Sequence, residues 1–422
     1  MLTPDLVFSL LFCALLIAGL MVRTWLASRQ IRHVARHRQA VPAAFATTIT
    51  QQAHQKAADY TVAKARFGML DGAWEAALLL GWTLFGGLHW LNQALLALMG
   101  GGMGQQLALV ASFSVIAGLL GLPAAWWTTF RIEERFGFNK MSLGLWLGDL
   151  LKSTLVGALL GLPILALVLW LMGAAGSLWW LWAWGAWMGF NLLMLVAYPT
   201  LIAPLFNKFE PLADETIRSR VKALMDRCGF SASGLFVMDG SKRSAHANAY
   251  FTGFGAAKRV VFFDTLLKQL APDEIDAVLA HELGHYKRRH IVQRVVLMFA
   301  LSLVGFALLG WLSGQSWFYT GLGVMPSLSA PNNGLAILLF MMVVPLFTFF
   351  LSPLMAQLSR RHEFEADAYA MDKTNGQDLA SALLKLYKDN ASTLTPDPVY
   401  VRFYYSHPPA SERIARLQAS AA

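Results

Sequence analysis

His281-Glu282-Leu283-Gly284-His285 sets two imidazoles four residues apart, with a carboxylate beside the first. On a helix, residues i and i+4 share a face, so both rings can address one metal ion while Glu282 holds a water next to it. This is the HExxH arrangement of zinc hydrolases. At ordinary residue frequencies the pattern arises by accident in roughly one chain of this length in a hundred, so its surroundings decide. Upstream, Pro272 stands near a helix start with Asp273 and Glu274 in the first turn, where a fixed φ and negative charge are favourable. Ile275, Val278 and Leu279 lead directly into His281. A helix is expected.

Two histidines leave a catalytic zinc site one protein ligand short of the usual three. Downstream, Arg360-Arg361-His362-Glu363-Phe364-Glu365-Ala366-Asp367-Ala368-Tyr369 also reads as helix. Glu363 and Asp367 share a face there, while Glu365 points elsewhere. We assign Glu363 as the third ligand of one zinc ion per chain. Asp367 is suited to accept the free N–H of a ligand histidine, as carboxylates beside metal sites commonly do. A solvated helix with surface Glu–Arg pairs accounts for Glu365 and Arg360. His290, in the basic run after the motif, is a weaker ligand candidate that reads better as a histidine at the lipid headgroups, and His89 reads as a packing histidine within a span. Gly284 reads either as a close backbone approach near the ligands or as a residue that merely costs the helix some stability. His407 sits in a turn set by Pro408 and Pro409, with Arg413 nearby; it is either structural or a donor to the transition state.

Composition places this chemistry in a membrane. Of 422 residues 56% are hydrophobic and only 14% charged, against about 25% charged in soluble domains. Seven apolar stretches reach the ~20 residues that cross a hydrocarbon core: Leu6–Leu26, Trp74–Leu98, Leu107–Phe130, Leu147–Met172, Leu178–Ala197, Ile291–Leu312 and Leu335–Leu354. The fourth and fifth are joined near Gly173–Gly176 as a tight helical hairpin. The first reads as a retained anchor with its N-terminus outside, because Asp5 precedes it and Arg23 follows at its far end.

With seven spans, the outer segments 1–5, 99–106, 173–177 and 313–334 carry no Lys or Arg. The positive-inside rule then places the basic side, and HExxH with it, in the cytoplasm. The net charge of +9 fits juxtamembrane cations on anionic lipid; no nucleic-acid recognition motif accompanies it. Cys13 and Cys228 form no disulfide framework and lack metal-site spacing. The chain divides into an N-terminal membrane region, 1–200 with five spans, and 201–422, which holds the soluble material and two more. In the latter, Asp214–Cys228 reads as helix. Leu235–Met238, Ser244–Gly253 and Val260–Phe263 read as strands, with Asp239-Gly240 and Gly253–Ala257 as hairpin turns. An amphipathic helix, Asp378–Tyr387, follows and leads to Ser406-His407-Pro408-Pro409 and then Glu412–Leu417. The fold expected is a multi-pass α-helical membrane protein with a small α+β zincin-type metalloprotease domain on the cytoplasmic side.

These residues resemble the type I CAAX prenyl proteases, integral-membrane zinc metalloproteases. The resemblance includes Ile132-Glu133-Glu134-Arg135-Phe136-Gly137-Phe138-Asn139-Lys140, Ile202-Ala203-Pro204-Leu205-Phe206-Asn207-Lys208-Phe209 and Asn248-Ala249-Tyr250-Phe251-Thr252-Gly253. It extends through HExxH, Glu363-Phe364-Glu365-Ala366-Asp367 and His407-Pro408-Pro409. It implies zinc on His281, His285 and Glu363, with Glu282 as the catalytic carboxylate. It implies seven transmembrane helices around a water-filled chamber, with the zinc at its cytoplasmic end. Asn248, with Ala249, would hold substrate backbone on an edge strand, and His407 and Arg413 would position the substrate and its developing oxyanion. Substrates would be prenylated CAAX proteins or other membrane-associated peptides. The ending Leu417-Gln418-Ala419-Ser420-Ala421-Ala422 and the compact loops look more like a bacterial inner-membrane member.

The expected reaction is endoproteolysis, with Glu282 moving a proton from water to the leaving amine. One rival is a membrane-protein quality-control protease with the same site. Another is a transporter with structural zinc, disfavoured because Glu75, Asp149, Lys152 and Arg294 lie near span ends rather than at mid-membrane.

Overall fold

The computed structural model describes residues 2–252 and 258–419. The chain opens with α1 (Pro4–Arg36), α2 (Gln51–Trp82), α3 (Gly87–Met99), α4 (Met103–Trp127), α5 (Leu143–Ala174), α6 (Trp179–Ala197) and the short α7 (Ala203–Phe206). Local chemistry sets several starts. Pro4 occupies the first turn of α1, where its missing N–H costs nothing. Thr50 accepts from Ala53 N at the start of α2, and Ser142 from Leu145 N at the start of α5, the usual service of an N-cap hydroxyl.

Six helices among the described residues are long and apolar enough to cross a membrane: Pro4–Arg36, Met103–Glu133, Leu143–Ala174, Gly176–Phe206, His290–Leu312 and Asn333–Lys373. The protein is therefore a multi-pass helical membrane protein. Leu147, Leu151, Leu155 and Leu159 recur every fourth residue along α5 and are all exposed, as a lipid-facing ridge requires. The remaining expected span, Trp74–Leu98, is not one helix. Thr83 returns its hydroxyl to Leu79 O (2.6 Å), and Gly86 takes φ +81°, so α2 ends and α3 begins in the middle of the apolar run. Gly323, itself at φ +75°, lies against the Thr83 carbonyl so closely that a Cβ would come within 2.7 Å. Hydropathy measured the run; it did not see the backbone turn within it.

The mixed region continues with β1 (Phe209–Pro211), α8 (Glu215–Arg227), β2 (Gly234–Met238), β3 (Ala249–Thr252), β4 (Arg259–Phe263), α9 (Asp264–Gln269) and α10 (Pro272–Lys287). The sheet order is β1-β2-β4-β3, with β2 and β4 parallel and both outer strands antiparallel. Asp239-Gly240 therefore does not close a hairpin. After Met238 the chain leaves the sheet, because Asp239 Oδ1 accepts from Lys208 N (2.8 Å). Arg243 then reaches Asp149 (2.8 and 3.0 Å) and Asn207 (3.0 Å) by the membrane helices. Strand pairing consequently starts only at Ala249 rather than at Ser244, and among the described residues β3 is left as a free edge. The Gly253–Ala257 turn lies outside the described residues.

The chain then runs through α11 (His290–Leu312), α12 (Ser316–Thr320), α13 (Asn333–Thr348), α14 (Ser352–Lys373), α15 (Gly376–Asp389), α16 (Pro398–Tyr404) and α17 (Ala410–Ala419). One apolar core joins α8, the sheet, α10, α15 and Leu417 of α17, with Val221, Leu224, Val260, Phe262, Ile275 and Leu279 nearly inaccessible. Glu274 fastens α10 at its start. It accepts from Ala271 N (2.7 Å), Ser381 Oγ (2.7 Å) and Lys385 Nζ (2.7 Å), so α10 and α15 are joined where the HExxH helix begins.

The decisive contact is between α10 and α14. A Cβ on Gly284 would lie 2.9 Å from Ala366 Cα, 3.0 Å from Ala366 O and 3.1 Å from Tyr369 Cβ. Two of the three are backbone atoms that cannot rotate away. Gly284→Ala should push the helices apart and cost about 1–3 kcal/mol. The expected result is a lower melting temperature in detergent together with weaker zinc retention; an unchanged variant on both counts would contradict the packing argument.

Candidate active site

The α10–α14 contact brings the two sequence motifs face to face. His281 Nε2 and His285 Nε2 lie 3.3 Å apart. Each is 3.4 Å from a Glu363 oxygen, Oε2 and Oε1 respectively. Tetrahedral zinc with arms of about 2.0–2.1 Å has neighbouring ligand atoms roughly 3.3–3.4 Å apart. The three donors thus form a triangle of the size that zinc demands. Glu363 Oε2 is buried without a hydrogen-bond partner among the described residues, a costly state that a cation relieves. His281, His285 and Glu363 fit the metal.

The hydrogen bonds also aim the rings. His281 Nδ1 donates to Asp367 Oδ1 (2.8 Å), which leaves Nε2 as a lone pair facing Glu363. On the other side, His290 Nε2 donates to Glu365 Oε2 (3.1 Å), and His290 Nδ1 accepts from His285 Nδ1 (3.0 Å). That chain leaves the second Nε2 as a lone pair too. Two imidazole lone pairs 3.3 Å apart repel unless a cation stands between them. His290 is buried and stacked on His362 at 4.0 Å and 7°, so it is not a headgroup histidine. Arg289, at φ +57°, turns the chain between α10 and α11 and swings His290 back onto His285. Glu365 does pair with Arg361 (2.9 Å), as a solvated helix would have it, but its second oxygen belongs to the site.

Arg413 of α17 is buried and grips Asp367 with two bonds, Nε to Oδ2 (2.9 Å) and Nη2 to Oδ1 (2.6 Å). Its Nη1 lies 3.8 Å from Glu363 Oε2. One guanidinium against the Glu363 and Asp367 carboxylates, with Glu282 beside them, leaves the pocket anionic. The response is visible at His281. Burial pulls its imidazolium down, but hydrogen bonds to Asp367 and Glu363 outweigh that and hold its pKa at about 9. The pocket is built to hold positive charge. Burial raises the Glu282 carboxyl above its ordinary range, with His281 and His285 partly opposing. Glu282 engages no side chain among the described residues, so its carboxylate is free to work on water.

His407 arrives from the turn after α16, with Nε2 3.3 Å from Glu363 Oε1 and Nδ1 2.9 Å from Ser406 Oγ. Arg360, read from sequence as a surface charge, holds that turn in place by donating to Val401 O (2.9 Å) and Tyr405 O (2.8 Å). A cavity of about 920 Å³ reaches His407, Arg413 and Asn248 and extends along α1 and α2 past Thr24, Lys64, Asp71 and Glu75. At its wall, the Asn248 side chain accepts from Ala249 N (2.8 Å) and its carbonyl from Phe263 N (3.0 Å). The segment before Asn248 is braced by the Ile132–Lys140 motif. Glu133 accepts from Tyr60 (2.6 Å), faces His246 Nε2 at 3.6 Å, and Phe138 stacks on the His246 ring at 4.3 Å.

Comparisons with known proteins give the family. Residues 30–208 match the family model described as CAAX prenyl protease N-terminal, five membrane helices, and residues 211–421 match peptidase family M48. CAAX prenyl protease 1 of Saccharomyces cerevisiae is 32% identical over 98% of this chain and 96% of its own length. The human CAAX prenyl protease 1 homolog is 30% identical over 94% and 92%. The crystal structure of S. mikatae Ste24p superposes with a TM-score of 0.91 at 31% identity, covering 99% of both chains. The chain belongs to the CAAX prenyl protease 1 group of peptidase family M48. It is a zinc metalloendopeptidase of the membrane, and neither the quality-control reading nor the transporter reading is favoured.

Two substitutions probe the groups behind the ligands. Asp367→Asn removes the acceptor charge shared by His281 and Arg413 and leaves a buried guanidinium underpaired, at a cost of about 3–5 kcal/mol. His290→Ala removes the acceptor behind His285 and should weaken zinc binding about 10–100-fold, read by competition with a chromogenic chelator. Wild-type zinc affinity in His290→Ala would show that the imidazole chain does not orient His285.

Proposed function

We propose that this enzyme cleaves peptide bonds near the C-terminus of CAAX-like or other membrane-associated peptides, prenylated or not. The observation that carries it is the donor triangle of His281, His285 and Glu363, whose neighbours His407 and Arg413 line a cavity that also reaches Asn248, next to the edge strand β3, and runs along α1 and α2. A peptide can add to the edge of β3 through backbone hydrogen bonds, with the outward backbone of Ala249 and the side chain of Asn248 as its first partners, and such pairing tolerates varied side chains. The cavity beyond gives an apolar tail room.

We assign the roles as follows. His281, His285 and Glu363 would hold zinc, which would supply the Lewis acidity that makes a water acidic enough to act near neutral pH. Glu282 takes the proton from the attacking water and delivers it to the leaving amine; its raised pKa suits both acts. His407, aimed at the ligand cluster, donates to the oxyanion that develops on the scissile carbonyl. Arg413 positions: it holds Asp367, and through it His281, while its charge faces the same region.

We further propose seven crossings, counting α2 and α3 as one broken span, arranged around the cavity as a barrel. Outer segments without Lys or Arg support a cytoplasmic site, and the compact loops fit a bacterial inner membrane. The sheet and α10 with their ligands support a zincin-type domain. Division at 1–200 and 201–422 is supported by the change from apolar helices to mixed structure there.

Glu282→Gln should abolish cleavage of both a farnesylated CAAX peptide and its unprenylated counterpart while retaining stoichiometric zinc by elemental analysis. His407→Ala should lower kcat about 10²–10³-fold with zinc unchanged. Wild-type turnover by Glu282→Gln would overturn the mechanism. Cleavage of neither peptide by the wild-type enzyme, with other membrane peptides cut, would overturn the CAAX part of the substrate reading and leave the mechanism standing.

A further inference from the structure

The two faces of α2 see different surroundings. Tyr60, Lys64, Asp71 and Glu75 line the substrate cavity. Asp59, Val62, Arg66, Phe67 and Leu70 line a second groove, of about 710 Å³, closed on its far side by Trp127, Arg131, Arg135 and Phe136. The groove is therefore separate from the active-site chamber and lies on the opposite side of one helix. Its far wall is shaped by Pro123 within α4 and by the π-helical turn Thr128–Glu133 that follows, and such wide turns recur at functional sites.

Charge and apolar surface are divided within it. Arg66, Arg131 and Arg135 are exposed and form no ion pair among the described residues, whereas the acid, Asp59, is already held by Arg38 (2.7 and 2.8 Å). Arg131 and Arg135 rest over the rings of Trp126 and Phe136, at 5.5 and 5.4 Å from the ring centroids, with their guanidinium edges free. Phe67 and Trp127 stack at 6.4 Å and 18° and, with Leu70 and Val62, make an apolar floor. Trp127 and Arg131 stand at the basic end of the Met103–Glu133 span, the depth at which aromatic side chains meet lipid headgroups.

We infer that this groove binds one anionic phospholipid, its phosphate held by Arg66, Arg131 and Arg135 and its upper acyl chain laid on Phe67, Leu70 and Trp127. A zwitterionic headgroup brings its own cation among three guanidiniums and is disfavoured. The site has a path to the chemistry. Glu133, between Arg131 and Arg135 in sequence, accepts from Tyr60 and faces His246, two residues before Asn248, so the lipid would sit behind the brace of the substrate-binding edge.

The test uses the full chain in detergent, with phosphatidylglycerol and phosphatidylcholine of identical acyl chains, read by native mass spectrometry. The wild type is expected to retain phosphatidylglycerol in preference. Arg131→Gln with Arg135→Gln should weaken that retention about 30-fold, at about fivefold per cation near a membrane surface. Leu70→Trp, which fills the groove and leaves every charge in place, should weaken it as well. The matched pair Arg32→Gln with Arg36→Gln, which removes two cations elsewhere on the same side, should behave as wild type. Equal loss in both arginine pairs, equal retention of the two lipids, or displacement by millimolar inorganic phosphate would each overturn the inference.

Discussion

The site depends on how closely α10 can approach α14. Gly284 has no side chain, and Ala366 has one methyl, so the helices touch through backbone. Only at that separation do His281 and His285 on one helix and Glu363 on the other converge to about 3.4 Å. Asp367, one turn beyond Glu363, then meets the outer nitrogen of His281 rather than solvent. The small residue among the candidate ligands is thus part of the site, though it offers no donor atom to it.

Burying that many charges needs compensation. Arg413 comes from the last helix, 132 residues after His281, and neutralises part of the carboxylate charge. His290 and Glu365 complete the other side. The remaining negative charge is what makes the pocket a cation site. The pocket is stable only when the C-terminal helix, the turn with His407 and the HExxH helix are all docked. Folding and metal binding are therefore linked, as buried ionic networks depend on every partner.

The motifs flanking the metal act one step further out. Ile132–Lys140 and Asn207–Lys208 draw the segment after β2 away from the sheet and brace it against the membrane helices. This is why β3 returns as an unpaired edge beside the cavity. A strand pair closed by a simple Asp-Gly hairpin would have left no edge there for a peptide to join.

Much of this was legible in the sequence because its signals are local. Helical phase alone put His281 with His285 and Glu363 with Asp367, the apolar runs located the membrane, and Pro272 with Glu274 marked the start of α10. The parts that were not legible depend on contacts between distant residues or on backbone turns. His290 is five residues from His285, a spacing no helix brings together, and only the left-handed turn at Arg289 does so. Arg360 and Glu365 look like surface charges until α16 and α11 pack over them. The break at Thr83–Gly86 hides inside a run whose hydropathy is continuous, and the strand order needs the pull of Arg243 on Asp149. Sequence periodicity determined which residues share a face. Tertiary packing decided which faces meet, because that choice rests on backbone conformation and long-range charge pairing that no local pattern contains.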